Sequence, residues 1–172
     1  PNTGTWMGRV AQDLLVPTEL APRTSVAPPV ALGIVTGLQF APLALFAPTG
    51  GMIADRFPKR RILFATQNAM AFTSLLTGVL VVTGAVQLWH IYLLAFIQGV
   101  ATALDNPARQ TFVSEMVPHE SLSNAVGLNS ASFNGARLIG PGLAGLVIAA
   151  FGTGPAFFLN ALSFAGVLLA LA

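Results

Sequence analysis

Long apolar runs separated by short polar connections dominate this sequence. A helix that crosses about 30 Å of hydrocarbon needs roughly 20 predominantly apolar residues, and most of the runs approach or exceed that length. The pattern predicts six helices, at about residues 4–20, 30–54, 62–83, 88–104, 122–151 and 156–172. The predicted fold is therefore all-α, a polytopic transmembrane bundle whose helices run alternately up and down.

The first of these runs is the weakest candidate for a complete span. Arg9, Asp13 and Pro17 interrupt it. Because Arg9 and Asp13 are four residues apart, they share a helix face and can form an ion pair. We interpret this run as the second half of a truncated first helix, and the whole sequence as a fragment of a longer protein. The proline-rich residues 21–29 are expected to form an external loop.

Half of the eight Lys and Arg residues fall between the second and third predicted helices, within residues 50–61. Such a cluster marks the cytoplasmic side of a membrane protein. By the parity of the crossings, the polar residues 105–122 return to the same side. Within them Phe112, Val113, Met116 and Val117 recur at helical spacing, which predicts a short amphipathic helix on the membrane surface. The charged residues of this segment are expected to form solvated or interfacial ion pairs: Asp105, Arg109, Glu115 and Glu120. Asp105 and Arg109 are alternatively candidates for contacts with the basic loop.

Composition agrees with a membrane protein. Only 8% of the residues are charged and 54% are hydrophobic, whereas soluble domains carry about 25% charged residues. The net charge of +2 reflects the basic loop, so we expect no nucleic-acid partner. There is no cysteine, which excludes disulfides and thiolate metal sites. The sequence also lacks the common hydrolase and phosphate-binding motifs. We therefore predict no catalytic site, metal or cofactor. His90 is expected to be an interfacial anchor and His119 a solvated loop residue.

Asp55 carries the main hypothesis for the basic loop. Gly51 lies one turn earlier and leaves room for another helix to approach. A carboxylate near the C-terminal end of its own helix is disfavoured by about 0.3–1 kcal/mol unless a cation or another helix N-terminus faces it. Asp55 is thus a candidate latch whose partner changes between conformations. The alternative is that it only neutralises Arg56 at a solvated turn.

The basic loop resembles the signature G-x-x-x-D-R-x-G-R-R of the major facilitator superfamily, between the second and third helices. In that family the loop is implied to control interconversion between transport states. Pro58 stands where the family usually has Gly. The positions that match in place or by type are Gly51, Asp55, Arg56, Lys59, Arg60 and Arg61.

The fifth predicted helix carries a second motif. Ala136, Gly140 and Ala144 recur every four residues and form a face without bulk, suited to close helix packing. Pro141 removes a backbone hydrogen bond and creates a potential kink. The segment ARLIGPGLAG, which ends at Gly145, is similar to the antiporter signature g-x-x-x-G-P-x-x-G-G of the same superfamily. That signature is associated with exporters.

The fourth predicted helix departs from the family pattern. Drug and proton antiporters often have R-x-x-q-G there. Gln98 and Gly99 match, but Ala95 occupies the Arg position. A proton-relay role for that arginine is therefore unavailable in this chain.

Several polar residues fall at membrane depth, where they are rare unless they face a cavity or a partner. Asp13 is the leading candidate for a protonation site, and a static pair with Arg9 or Arg137 is the alternative. Amide and hydroxyl side chains at the same depth either line a polar cavity or bond between helices. These are Gln39, Asn68, Asn129, Ser132, Asn134 and Asn160.

Taken as a resemblance, these features imply the amino-terminal six-helix half of a major facilitator transporter of the exporter branch. The implied function is proton-coupled efflux of small amphipathic molecules, of drug or siderophore type, by alternating access. The implied location is the bacterial inner membrane, as a multi-pass protein. The implied partners are a small-molecule substrate, the lipid bilayer and a carboxy-terminal half of the same chain. A non-transporting membrane scaffold or sensor is the alternative.

Overall fold

A computed structural model describes residues 2–171; for residues 47, 48, 50, 53–55, 114 and 119 it describes the backbone only. The described residues form helices joined by short connections and contain no strand, which confirms the predicted all-α fold. Its main helices are α1 (Asn2–Leu15), α2 (Pro28–Arg56), α3 (Lys59–Val82), α4 (Leu88–Met116), α5 (Leu122–Phe151) and α6 (Thr153–Leu171). Each helix from α2 to α6 contains a segment long and apolar enough to cross a membrane.

Helix α1 ends in a change of helix type. Val16–Leu20 forms one π-helical turn, and Ala21–Arg23 forms a 3-10 turn. Pro17 lies in the π turn and has no N–H, so the regular ladder of hydrogen bonds cannot continue through it. The N–H of Ala21 bonds to the carbonyl of Val16 instead. The predicted loop at residues 21–29 is therefore shorter, since only residues 24–27 separate this turn from α2.

Helix α4 is longer than the sequence predicted. It does not end near Leu104 but continues to Met116, with Pro107 inside it. The prediction of a separate helix on the membrane surface is wrong, because the polar residues that suggested a break are paired with α3. Phe112 likewise packs against a small buried cluster that includes Ala108, at the junction of α3, α4 and α6.

The connection between α2 and α3 is also tighter than predicted. Helix α2 ends at Arg56 and α3 begins at Lys59. Pro58 precedes α3 in an extended conformation, and its carbonyl accepts a hydrogen bond from the N–H of Arg61. A proline suits this position, because the first helical N–H groups have no intrahelical partner and a fixed φ costs nothing there.

Neighbours in space are mostly not neighbours in sequence. Helix α1 packs against α5 and α6, α3 packs against α4 and α6, and α2 packs against α4. The helices therefore follow the spatial order α5, α1, α6, α3, α4, α2. The main buried cluster lies within this arrangement, around Ala11, Leu15, Ile91 and Phe157.

Glycines allow several of these close approaches. A Cβ atom added to Gly99 of α4 would lie 2.6 Å from the backbone oxygen of Gln39 in α2. One added to Gly140 of α5 would lie 2.6 Å from Cβ of Trp6 in α1. Both distances are too short for real contacts, so the α2–α4 and α1–α5 crossings require residues without a side chain.

Candidate functional site

A cavity of about 580 Å³ lies between the helices and is partly open to the surface, and all six helices contribute to its wall. Ten of its lining residues are Asn or Gln, and the charged residues in the wall are Arg9, Asp105 and Arg109. Aromatic rings from α1, α2, α5 and α6 complete the lining. The cavity therefore combines apolar surface with many hydrogen-bonding groups, as sites for small organic molecules do.

The structure separates the predicted polar candidates into two groups. Arg9, Gln39 and Asn134 line the cavity, whereas Asp13 and Arg137 are not among its lining residues. Of the other amide and hydroxyl candidates, Asn129 and Asn160 line it and Asn68 and Ser132 do not. Asn134 and Asn68 each donate a hydrogen bond to a backbone carbonyl one turn earlier in their own helix.

Arg9 lies among aromatic rings at the cavity wall. Its guanidinium carbon is 4.9 Å from the ring centre of Phe40 and 5.9 Å from that of Trp6. The guanidinium carbon of Arg137 lies 5.7 Å from the centre of the same indole ring. The ring of Phe133 packs edge-on against the indole, with 6.1 Å between the ring centres. Cations within about 6 Å of a ring centre are attracted by the ring's quadrupole. The rings thus orient Arg9.

The predicted pairing of Arg9 with Asp13 is present but long. The distance from Arg9 Nε to Asp13 Oδ2 is 4.0 Å. Within the described part of the chain, Arg9 donates no hydrogen bond and Asp13 has no ion pair with Arg137.

Asp105 forms an ion pair with Arg109, but it is buried at the α3–α4 crossing, whereas the sequence suggested a solvated or interfacial pair. Its side chain is 5% exposed. Oδ1 accepts hydrogen bonds of 2.7 Å from both Thr66 and Gln67. Oδ2 accepts two from the guanidinium of Arg109, at 3.0 and 2.9 Å. A buried carboxylate needs this many donors to offset its lost hydration.

Three buried amides in the cavity wall each keep one atom without a hydrogen-bond partner among the described residues. They are Nε2 of Gln12, Oε1 of Gln67 and Oδ1 of Asn160. All three residues are at least nine-tenths buried and line the cavity. An unsatisfied buried polar atom costs about 1–3 kcal/mol, so these atoms favour a hydrogen-bonding occupant.

The predicted gating loop forms contacts at the basic end of the bundle. Nζ of Lys59 lies 2.9 Å from Oε1 of Glu115, which joins α3 to the far end of α4. Nε of Arg60 donates a 2.6 Å hydrogen bond to the carbonyl of Leu171 in α6. The side chain of Asp55 lies outside the described residues, and so does that of His119; the latch hypothesis therefore stays a prediction.

The fifth-helix motif lies where α5 meets α1. Ala136, Gly140 and Ala144 are buried, while Pro141 is partly exposed and Gly145 is exposed. No atom lies within 4 Å of a Cβ added to Gly145, in contrast to Gly140.

Sequence reasoning missed Trp6, Gln12 and Gln67. Arg9 lies three residues from both Trp6 and Gln12, so it neighbours each of them on the helix surface. Gln67 offered no such signal, because its place depends on where α3 crosses α4.

A bundle of long apolar helices around a polar cavity is typical of a multi-pass membrane protein. The comparisons with known proteins agree. The chain belongs to the major facilitator superfamily: residues 1–172 match the family described as "Transmembrane secretion effector".

Individual relatives come from several bacteria. An uncharacterized MFS-type transporter, YfiS of Bacillus subtilis, is 31% identical over 74% of this chain and 30% of its own length. The staphyloferrin A transporter of Staphylococcus aureus is 29% identical over 98% of this chain and 41% of its own. A multidrug resistance protein MdtG from Dickeya zeae is 30% identical over 75% of this chain and 30% of its own. The chain therefore spans less than half the length of these relatives. No solved structure matches it significantly.

Proposed function

We propose that this chain is the amino-terminal half of a secondary transporter that exports small amphipathic molecules from bacteria across the inner membrane. The internal cavity is the observation that carries the proposal. Its 580 Å³ lies within the range of about 300–1,000 Å³ typical of sites for small ligands. A relative named as a macrolide efflux protein supports export as the direction, and relatives named for staphyloferrin A transport and multidrug resistance support small organic molecules as substrates.

Alternating access is the proposed mechanism. In this arrangement the cavity is completed by a second helical half, and the two halves rock about the bound substrate. Contacts at the basic end, such as that of Lys59 with Glu115, hold α3 and α4 together as one body while the halves move. Asp55 is the proposed latch between the halves. We expect Asp55→Asn to insert and fold normally but to slow transport, and wild-type flux would contradict the latch.

Proton exchange is the proposed energy source, with Asp13 as the coupling residue. Asp13 is half-buried and only loosely paired with Arg9, so its charge has no strong partner to hold it. We expect Asp13→Asn to keep substrate binding but to lose export against a gradient. If the variant still exports uphill and still responds to a pH difference, Asp13 is not the coupling site.

A flux assay tests the function. The complete protein that contains these 172 residues would be expressed in bacteria without their own efflux pumps, and accumulation of a panel of amphipathic compounds, with fluorescein and other organic anions among them, would be measured with and without a protonophore. We expect lower accumulation that the protonophore reverses. Unchanged accumulation of every compound tried would favour a scaffold or sensor.

Cysteine accessibility tests alternating access separately. The chain has no cysteine, so Ser130→Cys introduces a single thiol at the cavity wall. In a background free of other cysteines, we expect labelling by a membrane-impermeant maleimide to change when substrate is added. Thr24→Cys, between α1 and α2, provides the control whose labelling should not change. Equal labelling of Ser130→Cys in both conditions would contradict the mechanism.

A further inference from the structure

We propose that the cavity selects substrates that carry an anionic group next to a planar ring, and that Arg9 binds the anion. This inference rests on the proposed transport function and names the class of molecule transported. It follows from three features of the cavity wall: its charge, the rings around Arg9 and the amides without partners.

The charge of the wall favours an anion. Two arginines and one aspartate line the cavity, which leaves a net charge of +1. Both oxygens of Asp105 are already occupied, by Thr66 and Gln67 on one side and by Arg109 on the other. A cationic ligand would therefore find no free carboxylate among the described lining residues.

Arg9, unlike Asp105, has hydrogen-bonding groups that are available to a ligand. Its guanidinium donates no hydrogen bond within the described part of the chain, and Asp13 is at the 4.0 Å limit of an ion pair. Its side chain is still 31% exposed, so its donors are within reach of a ligand in the cavity. A guanidinium forms two parallel hydrogen bonds with a carboxylate in its own plane, which gives both affinity and orientation.

The rings of Phe40 and Trp6 add the second part of the preference. Both line the cavity and flank the guanidinium of Arg9, at 4.9 and 5.9 Å. A ligand whose anionic group reaches Arg9 therefore places its neighbouring atoms against aromatic surface. Planar rings gain most from such contact, because they stack or pack edge-on with little loss of conformational freedom.

The buried amides extend the preference to polar substituents. Nε2 of Gln12 offers a donor, and Oε1 of Gln67 and Oδ1 of Asn160 offer acceptors. Gln12 lies three residues after Arg9 on the same helix face, so a ligand bound to Arg9 comes close to this amide. Hydroxyl or carbonyl groups on the ligand satisfy these atoms at the same time.

A matched pair of dyes tests the proposal. Fluorescein and rhodamine 123 share a xanthene ring system, but near neutral pH the first is an anion and the second a cation. Binding to the purified complete protein would be followed by fluorescence anisotropy. We expect fluorescein to bind more tightly, and Arg9→Gln to weaken its binding about tenfold or more through loss of charge-assisted hydrogen bonds. Arg9→Lys keeps the charge without the planar fork and should lie between the two.

The control variant is Arg23→Gln, which removes one positive charge at an exposed turn outside the cavity. We expect it to bind fluorescein as the wild type does. Circular dichroism in detergent checks that Arg9→Gln stays helical. Equal binding of both dyes, preference for rhodamine 123, no binding of fluorescein, or an equal effect of Arg23→Gln would each overturn the proposal. Fluorescein binding without transport in proteoliposomes would keep the anion site and reject the transport function instead.

Discussion

Gln67 of α3 donates a 2.7 Å hydrogen bond to the buried carboxylate of Asp105 in α4, across 38 positions of sequence. Thr66 adds a second bond to the same oxygen, so two helices share one desolvated charge. Asp105 thereby fixes the α3–α4 crossing and also the orientation of Gln67 in the cavity wall. Removal of the Asp105 carboxylate should therefore weaken the α3–α4 crossing and change the orientation of Gln67.

The first prediction concerns stability at this crossing. Asp105→Asn leaves Arg109 without its carboxylate and turns one acceptor of Asp105 into an amide donor. Bonds to charged groups contribute about 1.5–3 kcal/mol, so we expect a clear drop in the thermal unfolding midpoint in detergent. Glu120→Gln removes a charge from an exposed residue and should change the midpoint little. Equal midpoints for the wild type and Asp105→Asn would show that the network does not stabilise the fold.

The second prediction concerns the α2–α4 contact. Gly99→Ala would bring a methyl group to 2.6 Å from the carbonyl oxygen of Gln39, and backbone cannot move aside as a side chain can. Overpacking of this kind costs about 1–3 kcal/mol. We expect a lower thermal unfolding midpoint and a larger distance between labels placed on α2 and α4. Gly142→Ala is the matched control, since nothing lies within 4 Å of its added Cβ. Equal effects of the two substitutions would contradict the close crossing.

The third prediction separates two positions of the fifth-helix motif. We expect Gly140→Ala to lower the unfolding temperature, because its new methyl group would meet Trp6. Gly145→Ala should leave it unchanged or raise it slightly, since alanine favours helix over glycine by about 1 kcal/mol and this position is open. Thermal unfolding of both variants in one detergent provides the comparison. A larger effect at Gly145 would place the packed face of α5 elsewhere.

The fourth prediction tests the ion pair of Lys59 with Glu115. Both side chains are partly exposed, so the pair is expected to contribute only about 0.2–1 kcal/mol. We expect Lys59→Glu and Glu115→Lys each to lower stability, and the double variant to recover most of the loss. High salt should reduce the recovery. Simple additivity of the two single effects would mean that the charges do not interact.

The helices could be predicted from the sequence because a helix exposed to lipid needs a continuous apolar run. Such a run can be recognised without knowing which helices pack against it. The end of α4 could not be predicted in this way, because it depends on a neighbouring helix. Asp105 and Arg109 look like the polar end of a span, and only the position of Thr66 and Gln67 on α3 makes their burial favourable. A polar residue is therefore expected to be exposed only when no other helix supplies a hydrogen-bond partner for it.

The cavity shows the same limit. Arg9, Gln39 and Asn134 were singled out as polar groups at membrane depth, and they do line the cavity. Trp6 and Phe40 were not, because an aromatic residue in an apolar run resembles any other lipid-facing or core residue. Their role depends on Arg9 of α1 lying beside Phe40 of α2 at the cavity wall, which no local pattern encodes.

The spatial order of the helices has a consequence for biosynthesis. Helix α1 is made before its packing partners α5 and α6, and α2, α3 and α4 lie between them in the sequence. Since membrane helices insert before they associate, α1 and its charged residues must stay in the bilayer without these neighbours while three further helices emerge. A chain interrupted after α4 would leave the face of α1 that packs against α5 and α6 without its partners, and quality-control proteases in the membrane would meet it in that state.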